Sequence, residues 1–226
     1  MELADAWERN ADQWLAWADP AHEDGFWSVT WPTLRQLLPP PDGLVIDLGC
    51  GEGRGLRELR GSGYDGIGID RSPTLAHAAA GQSPESRVVI ADAARLPIFD
   101  ACASVVFASM SLLDMDDLDS TLAEVRRVLR PGGALCAAIV HPFISAFRPE
   151  TVHEGTFHLD GSYLSSRHYL DNVTRDGRSM TFASMHRPLH EYFDRLFNLG
   201  FVITAVREEG GGPVPWLLAF RATAHA

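Results

Sequence analysis

The sequence predicts an α/β domain whose core is a doubly wound, mostly parallel β-sheet. Two observations lead to this fold class. Short apolar segments alternate with helical segments after residue 44, and the first apolar segment runs straight into a glycine-rich turn. Strands buried on both faces, as in parallel sheets, are continuous apolar runs. Repeated strand–helix units of this length imply right-handed crossovers between parallel strands.

The first 40 residues are predicted to form a helical cap. Five of the six tryptophans lie within the first 31 residues. Trp7, Trp14 and Trp17 line one side of a helix that is expected from about residue 3 to residue 18. A second helix is expected over residues 31–38, where the proline-rich segment 39–43 ends it.

The next segment, residues 44–140, is predicted to be a ligand-binding core of five strands and their connecting helices. The strands are expected at 44–48, up to Asp70, and at 87–91, 103–108 and 134–140. The helices are expected at 53–60, 73–80 and 116–129, and Pro131-Gly132-Gly133 is expected to stop the last of them.

Residues 142–187 depart from this alternation and are predicted to form an inserted lid of one or two hairpins that covers the substrate. A helix at 188–199 and strands at 201–206 and 216–222 complete the C-terminal part, 188–226. The chain 1–226 is therefore expected to be a single domain. Its sheet should have seven strands, with the last one antiparallel.

Composition excludes several classes of function. All nineteen basic residues are arginine, so neither a lysine Schiff base nor a Walker A loop can form. The net charge of −11, with scattered arginines, argues against binding DNA. Three separated cysteines favour a reducing compartment. No leader or membrane-spanning pattern is seen, so we expect a cytoplasmic protein without a membrane partner.

The strongest motif runs from Asp47 to Gly53 and reads Asp-Leu-Gly-Cys-Gly-Glu-Gly. Glycines at the end of a buried strand let the backbone turn tightly and approach a ligand closely. A dinucleotide fingerprint would need a third glycine at position 54, which is arginine, and this disfavours a nicotinamide oxidoreductase. Asp70 ends the second strand, where an acid can accept hydrogen bonds from both ribose hydroxyls.

With these motifs in this order, the sequence resembles the class I S-adenosylmethionine-dependent methyltransferases, specifically the small-molecule branch called methyltransferase type 11. Two further segments carry the resemblance: Ala91-Asp92-Ala93-Ala94-Arg95-Leu96-Pro97, and the run from Glu124 to Gly133. The segment His186-Arg187-Pro188-Leu189-His190-Glu191-Tyr192 is also similar to that branch. The resemblance implies a Rossmann-like fold, S-adenosylmethionine as cofactor and S-adenosylhomocysteine as product.

The resemblance also implies the cofactor site. The turn at Gly49–Gly51 would contact the amino-acid part of the cofactor, and Asp92 would accept a hydrogen bond from the adenine amino group. Trp14 either covers the sulfonium by cation–π contact or only packs the cap on the core. The residues expected to bind the cofactor are Trp14, Asp47, Gly49, Cys50, Gly51, Asp70, Arg71, Asp92, Ala93 and Ser109.

The acceptor side offers candidate catalytic residues. A general base is needed only for a hydroxyl or a protonated amine, and histidine suits that role near neutral pH. His141 and His186 are the expected catalytic residues, although the first could merely shape a strand end and the second could anchor a helix. Tyr163 and Tyr169 are expected to orient the substrate or to pack the lid.

No metal site is expected. The acidic run at Asp114, Asp116, Asp117 and Asp119 is interpreted as a helix N-terminus. His153 and His158 are too far apart for a zinc-binding helix motif.

The sequence thus predicts an enzyme that transfers a methyl group from S-adenosylmethionine to an oxygen, nitrogen or carbon atom of a small molecule. Two alternatives stay open: a methyltransferase acting on protein or RNA, and a non-catalytic protein that binds S-adenosylmethionine or S-adenosylhomocysteine. The protein is expected to be a monomer or a homodimer.

Overall fold

The computed structural model describes residues 2–18, 24–82, 85–146, 162–210 and 214–225. The strands in this part of the chain are β1 Leu44–Leu48, β2 Asp65–Asp70, β3 Val88–Ile90, β4 Ala103–Ser109, β5 Leu129–Val140, β6 Arg167–Arg175, β7 Arg178–His186, β8 Phe201–Glu209 and β9 Leu217–Ala224. Seven of them form one sheet in the order β3-β2-β1-β4-β5-β9-β8, and β6 pairs separately with β7.

The helices are α1 Leu3–Arg9, α2 Ala11–Trp17, α3 Trp31–Leu37, α4 Arg54–Gly61, α5 Pro73–Gly81, α6 Leu118–Val128, α7 Pro142–Ser145 and α8 Leu189–Asn198. A π-helical turn at Phe26–Thr30 leads into α3, and a 3-10 turn at Leu112–Asp114 follows β4. None of the described helices combines the length and the apolarity that a bilayer crossing requires.

The strand directions match the predicted fold class. β1 pairs in parallel with β2 and β4, and β5 pairs in parallel with β4. β9 is antiparallel to both of its neighbours, β5 and β8. The predicted seven-stranded, doubly wound Rossmann-like sheet with an antiparallel last strand is therefore confirmed.

Successive residues of β1 face opposite sides of the sheet, and both sides are covered. Val45 packs with Leu34 of α3 and Leu59 of α4 on one side. Ile46 packs with Leu122 of α6 on the other. This two-sided burial is why the strand is a continuous apolar run. It also leaves only the strand ends open to a ligand.

Several predicted boundaries differ from the observed ones, and two of the differences have a clear structural reason. The single helix expected over 3–18 is divided at Asn10, whose Nδ2 donates to the carbonyl oxygen of Thr181 at 2.9 Å. The helix expected to run to residue 129 ends at Val128. The fifth strand, expected from residue 134, begins directly after it at Leu129. A register shift between Ala103 and Val105 of β4 accommodates the Pro-Gly-Gly segment within the pairing.

The cap and the β6–β7 hairpin contact each other. The ring of Phe182 on β7 makes edge-on contacts with Trp7, Trp14 and Trp17, at centroid distances of 6.4, 6.3 and 5.6 Å. The Nε1 of Trp7 donates to the carbonyl oxygen of Ala183 at 3.1 Å. The described part of the insertion thus contains one hairpin, and residues 147–161 lie outside the described residues.

Candidate active site

A cavity of about 740 Å³ lies at the carboxyl ends of β1, β2 and β4, under the cap and the hairpin. Its volume falls within the roughly 300–1,000 Å³ of typical small-molecule sites. The crevice outside the carboxyl ends of the strands is where open α/β sheets bind ligands. The fold therefore concentrates the residues that follow each strand around one enclosed space.

The glycine turn after β1 forms the floor of this cavity. Gly49 has φ +71°, and a Cβ there would stand 2.5 Å from the Cβ of Ser111. Gly51 has φ +55°, and its Cβ would stand 3.3 Å from Nε1 of Trp14. At both positions the backbone is left-handed and an added Cβ would lie close to a neighbouring side chain. Glycine is therefore favoured both by its backbone conformation and by the lack of a side chain.

Asp70 connects this turn to the end of β2. Its Oδ2 accepts from the backbone N–H of Gly51 at 2.7 Å, and its Oδ1 accepts from the N–H of Ser72 at 2.9 Å. Burial raises the pKa of this carboxyl, although the two amide bonds oppose the shift. Each carboxylate oxygen can accept more than one hydrogen bond. Asp70 can therefore fix the turn and still accept ribose hydroxyls.

Two carboxyl groups near the turn carry a buried oxygen without a hydrogen-bond partner among the described residues, namely Oδ2 of Asp47 and Oε1 of Glu52. Burial raises the pKa of Asp47 to about 8, and the neighbouring carboxylates Asp70 and Glu52 add to the shift. Buried, unsatisfied carboxyl oxygens next to a cavity favour a ligand that carries positive charge or donates hydrogen bonds.

The aromatic side chains of the cap form the roof. The indole Nε1 of Trp14 donates to Oε2 of Glu52 at 2.9 Å. The guanidinium of Arg54 lies over the ring of Trp14 at 4.6 Å and over the ring of Phe26 at 4.4 Å. Its Nη1 donates to Oδ2 of Asp24 at 2.6 Å. A buried ion pair, stacked between two rings, thus lies next to the glycine turn.

The opposite end of the cavity lies near the edge strand β3. Arg71 stands between Glu2 and Asp92, with nitrogen–oxygen distances of 3.6 Å to each. Oδ1 of Asp92 accepts from the backbone N–H of Ala94 at 2.9 Å. Ala93 is buried. This half-open region beside Asp70 therefore combines polar groups at its edge with an apolar floor at Ala93.

All ten residues predicted to bind the cofactor line this one cavity: Trp14, Asp47, Gly49, Cys50, Gly51, Asp70, Arg71, Asp92, Ala93 and Ser109. Tyr169, one of the two predicted substrate residues, lines it as well. Tyr163 does not. Its hydroxyl accepts from the backbone N–H of Leu189 at 3.1 Å, so it holds the start of α8.

His141 does not line the cavity, which corrects the expectation of a catalytic role. Its Nδ1 accepts from the backbone N–H of Phe143 at 3.1 Å, and its Nε2 lies 2.9 Å from Oε1 of Glu208. Only a tautomer with the proton on Nε2 makes both bonds. The side chain of His141 is therefore used to cap α7 and to bond Glu208.

His186, the other predicted catalytic residue, does not line the cavity either. Its Nε2 donates to the carbonyl oxygen of Tyr163 at 2.9 Å, since a carbonyl can only accept. Its Nδ1, 2.7 Å from the hydroxyl of Ser145, must then accept from that hydroxyl. Burial lowers the pKa of this fully buried histidine. His186 is therefore a neutral residue on β7 that is hydrogen-bonded to Ser145 of α7 and to Tyr163.

Asp114 is a cavity residue that sequence reasoning misread. It was interpreted as part of an acidic helix start, and Asp117 indeed caps α6 by accepting from the N–H of Ser120 at 2.9 Å. Asp114 lies in the 3-10 turn instead and faces the cavity. Burial raises the pKa of its carboxyl well above the ordinary range. Ser184 donates to its Oδ1 at 2.6 Å.

Sequence reasoning also missed Asp24, Phe26 and Ser184 as lining residues. Their contacts with the core span 28 or more positions in sequence, for example from Asp24 to Arg54, so no local pattern marks them. Among the described residues, no group of three or more histidine, cysteine, aspartate or glutamate side chains is arranged to hold a metal ion.

The fold and the site together define the class of protein: a Rossmann-like domain with an adenosyl-type ligand site at a β1 glycine turn. Residues 46–137 match the family model described as a methyltransferase domain. This segment is less than half of the chain, and its similarity to the methyltransferase family agrees with the resemblance that the sequence motifs indicated.

Comparison with known proteins agrees with this assignment. The chain is 32% identical to a malonyl-[acyl-carrier protein] O-methyltransferase from Pectobacterium atrosepticum, over 46% of this chain and 42% of that protein. It is 33% identical to a demethylmenaquinone methyltransferase from Beutenbergia cavernae, over 47% of this chain and 44% of that protein. Each match thus spans less than half of the relative's length.

A solved structure gives a longer match. The S-adenosylmethionine-dependent methyltransferase from Mesorhizobium loti superposes with a TM-score of 0.72, over 85% of this chain and 96% of that chain, at 24% identity. At this identity the likeness concerns the fold.

Proposed function

We propose that this protein transfers the methyl group of S-adenosylmethionine to an oxygen, nitrogen or carbon atom of a small-molecule acceptor. The observation that carries the proposal is the single enclosed cavity, which brings the glycine turn, Asp70 and Asp92 together with the polar group formed by Asp114, Ser184 and Tyr169. The first group suits an adenosyl cofactor, and the second suits a polar acceptor.

The cofactor fits the residues that are present. The positive-φ glycines leave room for a ligand against the backbone, and Asp70 is placed for the ribose. Oδ2 of Asp47, which is buried without a hydrogen-bond partner among the described residues, favours a ligand that is cationic or donates a hydrogen bond. When bound, the sulfonium would supply an electrophilic methyl group; the protein has to bind, align and dehydrate the reactants.

The chain's own contribution is mainly alignment and exclusion of water. Holding a nucleophile in line with a methyl group is worth roughly 7–11 kcal/mol of the barrier. The contacts of Phe182 with the cap tryptophans close one side of the cavity. A closed apolar cavity strengthens the electrostatic contacts inside it and keeps water from competing with the acceptor.

The acceptor is proposed to lie against the hairpin. Tyr169 and Ser184 come from β6 and β7, and Asp114 follows β4, where doubly wound folds meet their substrates. If the acceptor is a hydroxyl or an ammonium group, Asp114 is our candidate among the carboxyl groups on this wall for taking its proton, because Ser184 holds its Oδ1. The relatives' names mention malonyl-[acyl-carrier protein] and demethylmenaquinone, and these define the first two kinds of compound to try.

Calorimetric titration tests the cofactor. We expect wild-type protein to bind S-adenosylmethionine and S-adenosylhomocysteine with micromolar affinity and not to bind NAD. Asp70→Ala should abolish this binding, because it removes the ribose acceptor and the support of Gly51. Asp65→Ala, at the exposed start of the same strand β2, is the matched control and should bind like wild type.

Formation of S-adenosylhomocysteine with a malonyl thioester or a reduced naphthoquinone then tests the transfer step. Cofactor binding without turnover on any small molecule, but with turnover on a protein or RNA extract, would contradict the acceptor class. Binding of NAD by the wild type, or of none of the three compounds, would overturn the proposed function itself.

A further inference from the structure

The inserted hairpin presents a polar pair and an aromatic residue to the same end of the cavity. In the pairing of β6 with β7, Tyr169 lies opposite Ser184 and Asp171 lies opposite Phe182. All four residues line the cavity. Residues two positions apart on a strand face the same side and are separated by about 7 Å. The register of the hairpin therefore places two hydroxyl groups next to the ring of Phe182.

Asp114 adds a carboxyl group to these two hydroxyl groups. Its Oδ1 accepts from the Ser184 hydroxyl at 2.6 Å. Burial raises the pKa of Tyr169, so its phenol stays protonated near neutral pH and can donate or accept a hydrogen bond. An ionised carboxylate has about four lone-pair sites. Asp114 can therefore accept hydrogen bonds from a ligand while Ser184 holds it in place.

Two other carboxyl groups of the same acidic segment border the cavity, and each of them already accepts from the backbone. Both oxygens of Asp116 lie 3.0 Å from the amide nitrogen of Leu3. Asp117 accepts from an amide in the first turn of α6. The partner of Asp114 is instead a side chain of the cavity wall. Asp114 is thus the carboxyl group of this segment that is placed for a ligand.

The cationic side chains of the hairpin that line the cavity are directed to other partners. The guanidinium of Arg175 stacks on Trp17 at 4.2 Å. Arg175 follows Tyr169 by six positions, which is about 20 Å along an extended strand. Nε2 of His168 lies 3.9 Å from Oδ1 of Asp116. These positions leave the carboxyl group of Asp114 available for the charge of a ligand.

Arg187 supports Asp114 from behind the cavity wall. It is buried and is not one of the lining residues. Its guanidinium donates to the carbonyl oxygens of Leu112 and Met115, at 3.5 and 2.5 Å, and so fixes the 3-10 turn that carries Asp114. Its charge lowers the pKa of Asp114 against the larger effect of burial. Arg187 therefore favours the ionised carboxyl group, while its own N–H groups donate to the backbone.

The electrostatics of this end of the cavity favour a cation and disfavour an anion. A carboxylate in an enclosed site of low dielectric constant attracts a positive charge strongly. The rings of Trp7 and Phe182, with centroids 6.4 Å apart, add aromatic surface, and aromatic rings attract ammonium groups. An anionic acceptor would instead meet Asp114 and Asp171 with like charge. The residues present thus suit an amine that is attached to an apolar or aromatic body.

We propose that the methyl acceptor is an amine that binds as an ammonium ion, with the carboxylate of Asp114 as its counter-ion and proton acceptor; this rests on the proposed function. One N–H of the ammonium group transfers its proton to an oxygen of Asp114. The lone pair that remains on nitrogen forms the bond to the methyl carbon, and the electron pair of the broken carbon–sulfur bond stays on sulfur. The products are an N-methylammonium ion, a thioether and protonated Asp114, which then releases its proton to water.

The test uses compounds that share one body and differ in the end group. One set is phenethylamine, phenethyl alcohol and hydrocinnamate, and the other is tryptamine, tryptophol and indolepropionate. Calorimetry near neutral pH measures the binding of each compound to protein saturated with S-adenosylhomocysteine. The rate of S-adenosylhomocysteine formation from S-adenosylmethionine, with mass spectrometry of the methylated compound, measures transfer.

The variants separate the charge of Asp114 from its shape. Asp114→Asn keeps the size of the side chain but removes the negative charge and the ability to take a proton. Asp119→Asn is the matched control, because Asp119 is exposed, lies outside the cavity lining and pairs with Arg195. Binding of S-adenosylhomocysteine by each variant shows that the cofactor site is still formed.

We expect wild-type protein to bind the amine of at least one set roughly 10- to 100-fold more tightly than the alcohol or the acid of that set, as is typical of a charged hydrogen bond. Asp114→Asn should remove this preference and leave binding of the alcohol within about twofold of wild type. It should also slow transfer to the amine by about 10²–10⁴-fold, the usual contribution of a general base. Asp119→Asn should behave like wild type in both assays.

Several results would overturn the inference while the proposed function stands. These are equal binding of the three end groups in both sets, binding of none of the six compounds, and an amine preference that survives in Asp114→Asn. Transfer to a malonyl thioester, an alcohol or an acid without transfer to any amine would also overturn it. Failure of wild-type protein to bind S-adenosylhomocysteine is a different result, because it removes the cofactor and with it the proposed function.

Discussion

The hydroxyl of Ser184 donates to Oδ1 of Asp114 across 2.6 Å, and the two residues are 70 positions apart in the chain. The bond joins the hairpin strand β7 to the 3-10 turn after β4. Ser184 is buried, and Asp114 faces the cavity. This hydrogen bond thus connects the inserted hairpin directly to the segment that follows β4.

Ser184→Ala should lower the free energy of unfolding by roughly 1–3 kcal/mol, because a buried carboxyl group loses its donor. Urea denaturation followed by circular dichroism measures this change. Ser179→Ala is the control on the same strand, since Ser179 is exposed and pairs only with Thr174. The control should change stability by no more than about 0.5 kcal/mol. Equal losses in the two variants would show that the hydrogen bond between Ser184 and Asp114 does not contribute to the free energy of unfolding.

Asp114→Asn should change how stability depends on pH. The pKa of the folded carboxyl lies above the ordinary value of 3.8 because of burial. The folded protein therefore binds more protons than the unfolded chain above pH 3.8, and the free energy of unfolding falls as pH rises through that range. The amide does not titrate, so the variant should gain stability over wild type as pH increases.

Denaturation curves from about pH 5 to about pH 8 check this, with the difference between variant and wild type as the readout. Asp119→Asn, on the exposed start of α6 and paired with Arg195, is the control. A constant difference across the pH range would mean that Asp114 is ionised throughout.

His186→Asn should change the pH dependence in the opposite direction. Burial lowers the pKa of His186 in the folded protein below 6.5. The unfolded chain then takes up the proton first, so wild-type stability is lost as pH falls below 6.5. The variant cannot titrate there, and its stability should fall less on acidification.

Thermal unfolding at about pH 7.5 and about pH 5.5 measures this effect. His190→Asn, an exposed histidine on α8, should behave like wild type. If both histidine variants give the same pH dependence as wild type, His186 is not buried in its neutral form in solution.

Gly49→Ala should destabilise the protein by roughly 2–5 kcal/mol. About 1–2 kcal/mol comes from an alanine in the left-handed region, and about 1–3 kcal/mol comes from the clash with Ser111. Gly177→Ala is a matched control, because Gly177 has φ +75° and nothing lies within 4 Å of the added Cβ. It should show only the backbone cost of about 1–2 kcal/mol. Equal losses would mean that the segment after β4 moves away from the turn.

The core strands were predictable because their apolar runs are set by local sequence. β1 was predicted at its observed bounds, since glycine and proline residues flank a run that is apolar except for Asp47. Most of the predicted cofactor residues followed from the same logic: except for Trp14, they lie near the carboxyl end of a strand or just after it, and the topology brings these ends together. Knowledge of the strand order was enough to place Asp70 and Asp92 on one wall.

The acceptor side was not predictable in this way. The direction of the His141 side chain is decided by Glu208 on β8, and that of His186 by Ser145 and Tyr163. Asp114 and Asp117 belong to the same acidic run, but Asp117 caps α6 and Asp114 faces the cavity. Only the tertiary packing distinguishes the two roles. Contacts between distant segments decide these roles, and no spacing in the sequence encodes them.

The position of β9 between β5 and β8 governs the order in which the sheet can be completed. β8 is synthesised before β9, yet its only neighbour in the sheet is β9. During vectorial synthesis, β8 therefore has no partner in the sheet until β9 follows it, and β9 must in turn pair with β5, from which it is separated by more than 75 residues. Such long-range pairing is slow. The last two strands must add to the five-stranded sheet together, as a hairpin, after the parallel part has formed its register.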